Sequence, residues 1–191
     1  MMTRIIAGQA RGRRLRVPRG DRVRPTADRV RESIFAALGS HGDLTGAAVL
    51  DAFAGSGALG LEALSRGAAH ATFVERHRGT AAVLEANIAA LDFGDRCRVV
   101  RGDALRWLAT AGESFDVAFC DPPYDFPDHG WERLLGRLRA NILVVESDRA
   151  VPAHPAWLVI SERRRGSTVV QMATPRTAGD DETSAAAPGR D

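Results

Sequence analysis

Val49-Leu50-Asp51-Ala52-Phe53-Ala54-Gly55-Ser56-Gly57-Ala58-Leu59-Gly60 sets a buried apolar run, a glycine-rich turn and the start of a helix in direct succession. Glycines at such a turn let the backbone approach a ligand closely, so this stretch reads as a nucleotide-type cofactor loop at the head of a βαβ unit. Outward from it, short apolar runs alternate with helical patterns, the signature of a mostly parallel sheet. Strands are expected at 47–51, 71–75, 98–101, 115–120, 142–146, 157–161 and 168–172, and helices at 58–66, 78–91, 104–109 and 131–139. An amphipathic helix is expected from Thr26, a candidate cap, to Gly39, because Val30, Ile34 and Leu38 recur every four residues. The link around Arg163-Arg164-Arg165-Gly166 is too short for a crossover helix, so the last two strands should form an antiparallel hairpin. The expected fold is α/β and Rossmann-like, with seven strands and a closing hairpin.

The chain of 191 residues has room for one such domain and a small appendage. Its 45% apolar and 26% charged content suits a globular body and excludes a disordered chain. No apolar stretch approaches a membrane span, and the start leads into arginine-rich sequence, so a cytoplasmic location is expected. Cys97 and Cys120 lie in separate apolar runs and read as reduced thiols, while the five histidines show no ligand spacing; no metal is expected. Charge is uneven. Residues 1–32 carry ten arginines against Asp21, Asp28 and Glu32, a net +7, and the remainder carries sixteen against 21 acids, a net −5. A basic segment of this kind suggests an arm that meets a polyanion. The organisation expected is an arm or small hairpin over 1–25, a catalytic domain over 26–172 and a disordered tail over 173–191.

The glycines alone also fit a dinucleotide site. Asp51 argues otherwise: an acid at the strand end would repel pyrophosphate but suits a cationic ligand, and S-adenosylmethionine carries an ammonium and a sulfonium without phosphate. Asp51 could instead cap the following turn. Glu75, ending the next strand, can accept both ribose hydroxyls or be an ordinary surface acid. Asp103 can accept from the adenine amine, cap the next helix, or do both. The most specific signal is Asp121-Pro122-Pro123-Tyr124 after the strand at 115–120. Its prolines remove two backbone donors and leave an acceptor cluster in the cleft. Such a cluster can hold the N–H groups of an exocyclic amine, whose conjugated lone pair makes it a poor nucleophile, and Tyr124 can stack on a base withdrawn from its helix.

With Arg4-Ile5-Ile6-Ala7-Gly8, Gly12-Arg13-Arg14-Leu15 and the block from Arg24 to Glu32 (RPTADRVRE) added to these motifs, the chain resembles the RsmD-type bacterial 16S ribosomal RNA guanine-N2 methyltransferases over residues 4–172. The resemblance implies the class I methyltransferase fold, S-adenosylmethionine as donor, and transfer to N2 of one guanine in 16S rRNA of the small subunit or its assembly intermediate. It implies catalytic roles for Asp121, Pro122, Pro123 and Tyr124. Asp51, Gly55, Gly57, Glu75 and Asp103 match its cofactor positions, with Phe53, Ser56, Arg76 and Ala104 completing the expected set. Arg4, Arg11, Arg13, Arg14, Arg16, Arg24, Thr26, Arg29 and Arg31 are the expected RNA contacts, and a monomer is the expected state. Rival readings are a DNA or RNA adenine-N6 or cytosine-N4 amino-methyltransferase, an NAD-dependent oxidoreductase, and a non-catalytic RNA-binding module.

Overall fold

The computed structural model describes residues 3–18 and 25–177, of 25–27 the backbone alone. A two-residue ladder joins β1 (Thr3–Arg4) to β2 (Arg14–Leu15), and α1 (Pro25–Gly39) leads into the main sheet. The helix opens on Pro25, whose fixed φ suits a first turn, so Thr26 lies inside that turn rather than capping it. Then follow β3 (Ala48–Asp51), α2 (Ala58–Ser65), β4 (His70–Glu75), α3 (Arg78–Leu91), β5 (Cys97–Arg101), α4 (Ala104–Ala111), β6 (Phe115–Cys120), α5 (Asp128–Leu135), β7 (Ala140–Ser147), β8 (Trp157–Arg165) and β9 (Thr168–Pro175). No helix among the described residues is long and apolar enough to cross a membrane.

The seven strands run in the order β5-β4-β3-β6-β7-β9-β8. The first five are parallel and the β8–β9 hairpin is antiparallel, as the alternation of runs and the short final link implied. Because side chains alternate along a strand, Val49, Val117 and Phe119 enter one apolar layer with α1, α2 and α3, and Leu50, Ala118 and Cys120 enter the other with α4 and α5. Covering both faces explains why the strands read as continuous apolar runs. Sequence order reverses between β3 and β6, and such a reversal opens a crevice beyond the carboxyl ends of the strands. Asp51 and Asp121 stand at that crevice.

The expected bounds of α5, β8 and β9 move most. Helix α5 starts at Asp128, because Pro127 can occupy the position before a helix and the Phe126 ring covers Gly130, and it stops before Gly136 rather than at Arg139. Strand β8 continues through Arg163, Arg164 and Arg165, with Arg165 paired to Thr168 across a two-residue turn in which Gly166 has φ 61°. Strand β9 runs to Pro175, past the expected end at 172, since Ala173 packs against the α5 layer; 178–191 lie outside the described residues.

The arm is part of the body. Ile5 and Leu15 are each 1% exposed and join the layer containing α1 and α2. Gly8, with φ 80°, lies so close to α2 that a Cβ there would sit 1.7 Å from the Ser65 carbonyl oxygen. The backbones therefore meet with no room for any side chain but glycine's.

Candidate active site

A cavity of about 1000 Å³ occupies the crevice. On one side it is lined by Asp51, Phe53, Gly55, Ser56, Glu75 and Arg76, with Asp103 and Ala104 beside them, and on the other by Asp121, Pro122, Pro123 and Tyr124. Thirteen residues were expected to bind cofactor or act in catalysis, and twelve of them converge on one space. The exception is Gly57. It is the residue before α2, with φ 83°, and a Cβ there would strike Leu84 at 2.3 Å. Its part is to let the backbone turn into α2 against the Leu84 and Leu61 side chains, and it is not among the residues lining the cavity.

Each carboxylate is fixed by backbone. Oδ2 of Asp51 accepts from the Gly60 amide at 3.0 Å, tying the end of β3 to the first turn of α2. The side chain is buried, and that desolvation pushes its pKa up to about 7; the Gly60 hydrogen bond opposes the rise and the charge of Glu75 adds to it. Glu75 accepts from Gly55 N through Oε2 (3.0 Å) and from His77 N through Oε1 (2.7 Å), so it holds the glycine loop in shape from the neighbouring strand. Each oxygen keeps a second lone pair for a ligand. Asp103 caps α4 by accepting from Arg106 N at 3.0 Å, and the cap uses one oxygen of two.

Asp121 follows β6 directly and opens onto the cavity. Asp121 is open to solvent at the cavity mouth, yet the protein mass around it and the facing Glu146 and Asp51 hold its carboxyl well above the usual range, by desolvation first and by those two negative neighbours second. A turn closes behind it, with Phe126 N donating to the Pro123 carbonyl at 2.9 Å. The guanidinium of Arg149 binds the carbonyls of Tyr124 (3.4 Å) and Phe126 (2.9 Å) and the carboxylate of Asp128 (2.9 Å). Phe126 stacks edge-on against Phe53 at 5.4 Å and Trp131 at 5.1 Å, joining the two halves of the cavity wall. Tyr124 is 40% exposed.

Sequence reading passed over Glu146, Arg149 and Phe126. Glu146 had a signal, since it ends an apolar run beside the strand leading to Asp121, as Asp51 and Glu75 end theirs. Nothing local marked Arg149. Among the described residues no group of three or more His, Cys, Asp or Glu stands together as a metal site.

The expected RNA contacts divide. Arg4, Arg11, Arg13, Arg14, Arg16 and Arg29 are exposed, and Arg24 lies outside the described residues, as does the side chain of Thr26. Arg4 and Arg14 face each other across the β1–β2 ladder and, with Thr3 and Asp28, line a second cavity of about 460 Å³. Arg13 hydrogen-bonds the Ala90 carbonyl. Arg31 is a correction: its side chain is buried and donates to Thr3 Oγ1 (3.1 Å), the Arg4 carbonyl (2.5 Å) and Asp28 Oδ1 (3.1 Å). It anchors the arm instead of reaching for phosphate.

Two buried side chains tie the arm to α2, α3 and the glycine-rich loop. Glu62 of α2 accepts from the amides of Ile6 (2.7 Å) and Ala7 (3.0 Å). Asn87 of α3 brackets Arg16, accepting from its N–H at 2.8 Å and donating to its carbonyl at 2.9 Å, and donates also to the Ser56 carbonyl at 2.9 Å. Thr3 and Val17 consequently form part of the main cavity wall.

Residues 3–174 match the family model described as Conserved hypothetical protein 95. The chain is 40% identical over 182 residues to Ribosomal RNA small subunit methyltransferase D of Escherichia coli (strain K12), covering 88% of each. It is 34% identical over 179 residues to the protein of the same name from Haemophilus influenzae, covering 85% of this chain and 89% of that one. The solved structure of yhhF from Escherichia coli superposes with a TM-score of 0.80 at 39% identity, over 92% of this chain and 98% of that one. Agreement of family model, full-length relatives and fold places kinship well below the level of a shared superfold: this chain belongs to the RsmD-type methyltransferases, the family described as Conserved hypothetical protein 95.

Proposed function

We propose that the protein methylates the exocyclic N2 of a guanine in 16S rRNA, within the small ribosomal subunit or its assembly intermediate in the cytoplasm, with S-adenosylmethionine as donor. The observation that carries this reading is the pairing of Asp51 and Asp121 at the ends of adjacent strands, facing one cavity. Family membership and the names of the full-length relatives support it.

The donor set fits S-adenosylmethionine. Asp51 and Glu75 are acceptors preset by the Gly60, Gly55 and His77 amides, Phe53 offers an apolar surface, and the volume exceeds what one cofactor fills. When bound, the cofactor supplies an electrophilic methyl group. Asp121 and the Pro122 carbonyl accept from the two N–H groups of the target amine, drawing its lone pair out of conjugation, and Asp121 receives the proton that the nitrogen sheds. Its raised pKa suits that task. Tyr124 stacks on the base, which must leave its RNA stack to enter. The test is to incubate the protein with labelled S-adenosylmethionine and small subunits lacking the modification, then map the nucleotide by mass spectrometry; absence of label in the RNA overturns the reading.

Asp51 makes cofactor affinity depend on pH. Because burial raises its pKa to about 7, the unliganded site holds a proton on this carboxyl below that pH, whereas a cation prefers the ionised form. Affinity should therefore rise between pH 6 and 8. Calorimetry should show this slope in the wild type and its loss in Asp51→Asn.

Arg4 and Arg14 supply the phosphate contacts. Like charges directly opposite on a ladder repel, and an anion between them removes the penalty. The double variant Arg4→Ala/Arg14→Ala should bind small subunits more weakly, with a log K against log salt slope shallower by roughly 0.7–0.9 per lost contact. Cofactor affinity should be unchanged. An unaltered salt slope assigns RNA binding elsewhere.

A further inference from the structure

Strand β8 is an edge strand, and its last residues, Arg163, Arg164 and Arg165, are all exposed. Charge on an edge strand ordinarily serves only to block pairing with another sheet. Register and facing give two of these arginines a further use. Arg163 pairs with Val170, and Val170 with Glu146; Cys120 pairs with Val145, so Asp121 extends the same row. Arg163 thus stands three strand spacings from Asp121, about 14 Å in backbone, at the carboxyl edge of the sheet. Thr168, the partner of Arg165, lines the cavity itself.

Side chains alternate along a strand, so Arg163 and Arg165 share the face of Val170, which packs in one layer with Val30 of α1 and with Ile5 and Leu15 of the arm. Arg164 lies on the opposite face with Glu162, to which it pairs at 3.6 Å. Thr3, Val30 and Thr168 all line the main cavity, so arm, α1 and hairpin border one opening. Its wall is acidic, with Asp51, Glu75, Asp103, Asp121, Asp125 and Glu146. A polyanion therefore approaches only where cations on the rim offset that field.

We infer that Arg163 and Arg165 form a second phosphate-binding surface, separate from Arg4 and Arg14, that holds the RNA strand at the hairpin rim of the cavity. This inference rests on the RNA methylation reading above. A base that enters the cavity leaves its sugar and phosphates outside, so the backbone on either side of it passes over the rim. Guanidinium forks match phosphate oxygens, and such contacts set the position of the strand without reading its sequence.

The test is binding to small subunits lacking the modification, measured against salt. Arg163→Ala/Arg165→Ala should weaken binding by about tenfold or more near 0.1 M salt and flatten the slope of log K against log salt by roughly 1.4–1.8, or 0.7–0.9 per lost contact. KM for subunits should rise while kcat stays within about threefold, because backbone contacts act equally in ground and transition states. S-adenosylmethionine affinity should be unchanged. Arg163→Lys/Arg165→Lys should restore the slope, since phosphate also accepts from an ammonium. Arg164→Ala controls for charge alone and should move the slope by less than about 0.3. An unaltered slope in the double alanine variant, or an equal loss in Arg164→Ala, overturns the inference. So does a loss of subunit affinity with none on protein-free 16S rRNA, which assigns the arginines to a protein of the subunit. A changed oligomeric state by light scattering with the slope intact assigns β8 to a second copy of the chain, and overturns it too. Each of these leaves the methylation reading standing; absence of label in RNA treated with the wild type overturns that reading, and this inference with it.

Discussion

Asp121→Ala is expected to lower the rate of methyl transfer by about 10²–10³-fold or more, while S-adenosylmethionine affinity changes by less than about tenfold. The asymmetry follows from position. Asp121 opens the loop on the side of the cavity proposed for the base, whereas the acceptors proposed for the cofactor, Asp51 and Glu75, end β3 and β4 and are held by other backbone amides. Removing Asp121 deletes an acceptor that tightens on the amine as charge develops on nitrogen, so the loss falls on kcat. It also removes a carboxyl held above its usual range by partial desolvation and by Glu146 and Asp51, which relieves repulsion and argues against unfolding as the cause. Asp121→Asn keeps the shape but offers only one acceptor oxygen and no proton acceptor, and should fall nearly as far. Single-turnover transfer to small subunits, with cofactor binding measured by calorimetry, checks both halves. Near-normal turnover in Asp121→Ala removes the residue from the chemistry.

Glu62→Ala should cost about 3–5 kcal/mol of stability, the range for breaking a buried charged network by deleting one partner. The side chain of Glu62 has no exposure, accepts from the Ile6 and Ala7 amides, and pairs with Arg66 Nε at 2.7 Å. Arg31 Nε, buried and without a hydrogen-bond partner, lies 3.9 Å away. Deleting the carboxylate leaves two buried arm amides with nothing to accept from them and takes away the negative charge facing Arg31 Nε and Arg66 Nε. For a chain of this size the melting temperature should drop by roughly 6–20 °C. The arm should also become cleavable by proteases under native conditions, since Gly8 rests on the same helix. A shift under about 3 °C refutes the clamp. Because Ile5 and Leu15 lie in the core, deleting residues 1–20 as a test of RNA binding would unfold the protein, and charge removal at Arg4 and Arg14 separates affinity from folding.

The sequence by itself determined the sheet, the loop and the chemistry class. A strand buried on both faces must read as an apolar run, a loop that admits a ligand must carry glycine, and a proline pair after a strand removes donors whatever surrounds it; these are local requirements, so Asp51, Gly55 and Asp121 were legible one by one. Strand ends were less so: β8 extends through three arginines because it is exposed and its residues need no apolar pattern, while its partner β9 is buried and supplies the register. Only the tertiary structure decided which arginines remain exposed. Arg31 and Arg29 sit in one helical block with the same formal charge, yet Arg31 is folded beneath the arm and Arg29 is exposed, because Thr3 and Glu62 come from separate segments to join Asp28 of the same helix around the former. The same holds for Arg149, which binds a loop 23 to 25 residues earlier in the chain, and for Asn87, which joins Arg16 to Ser56 across 71 and 31 residues. Such partners have no spacing rule, since hydrogen bonds between distant segments depend on where the packed sheet and helices bring the backbone, and that is settled by burial of the whole core rather than by any local pattern.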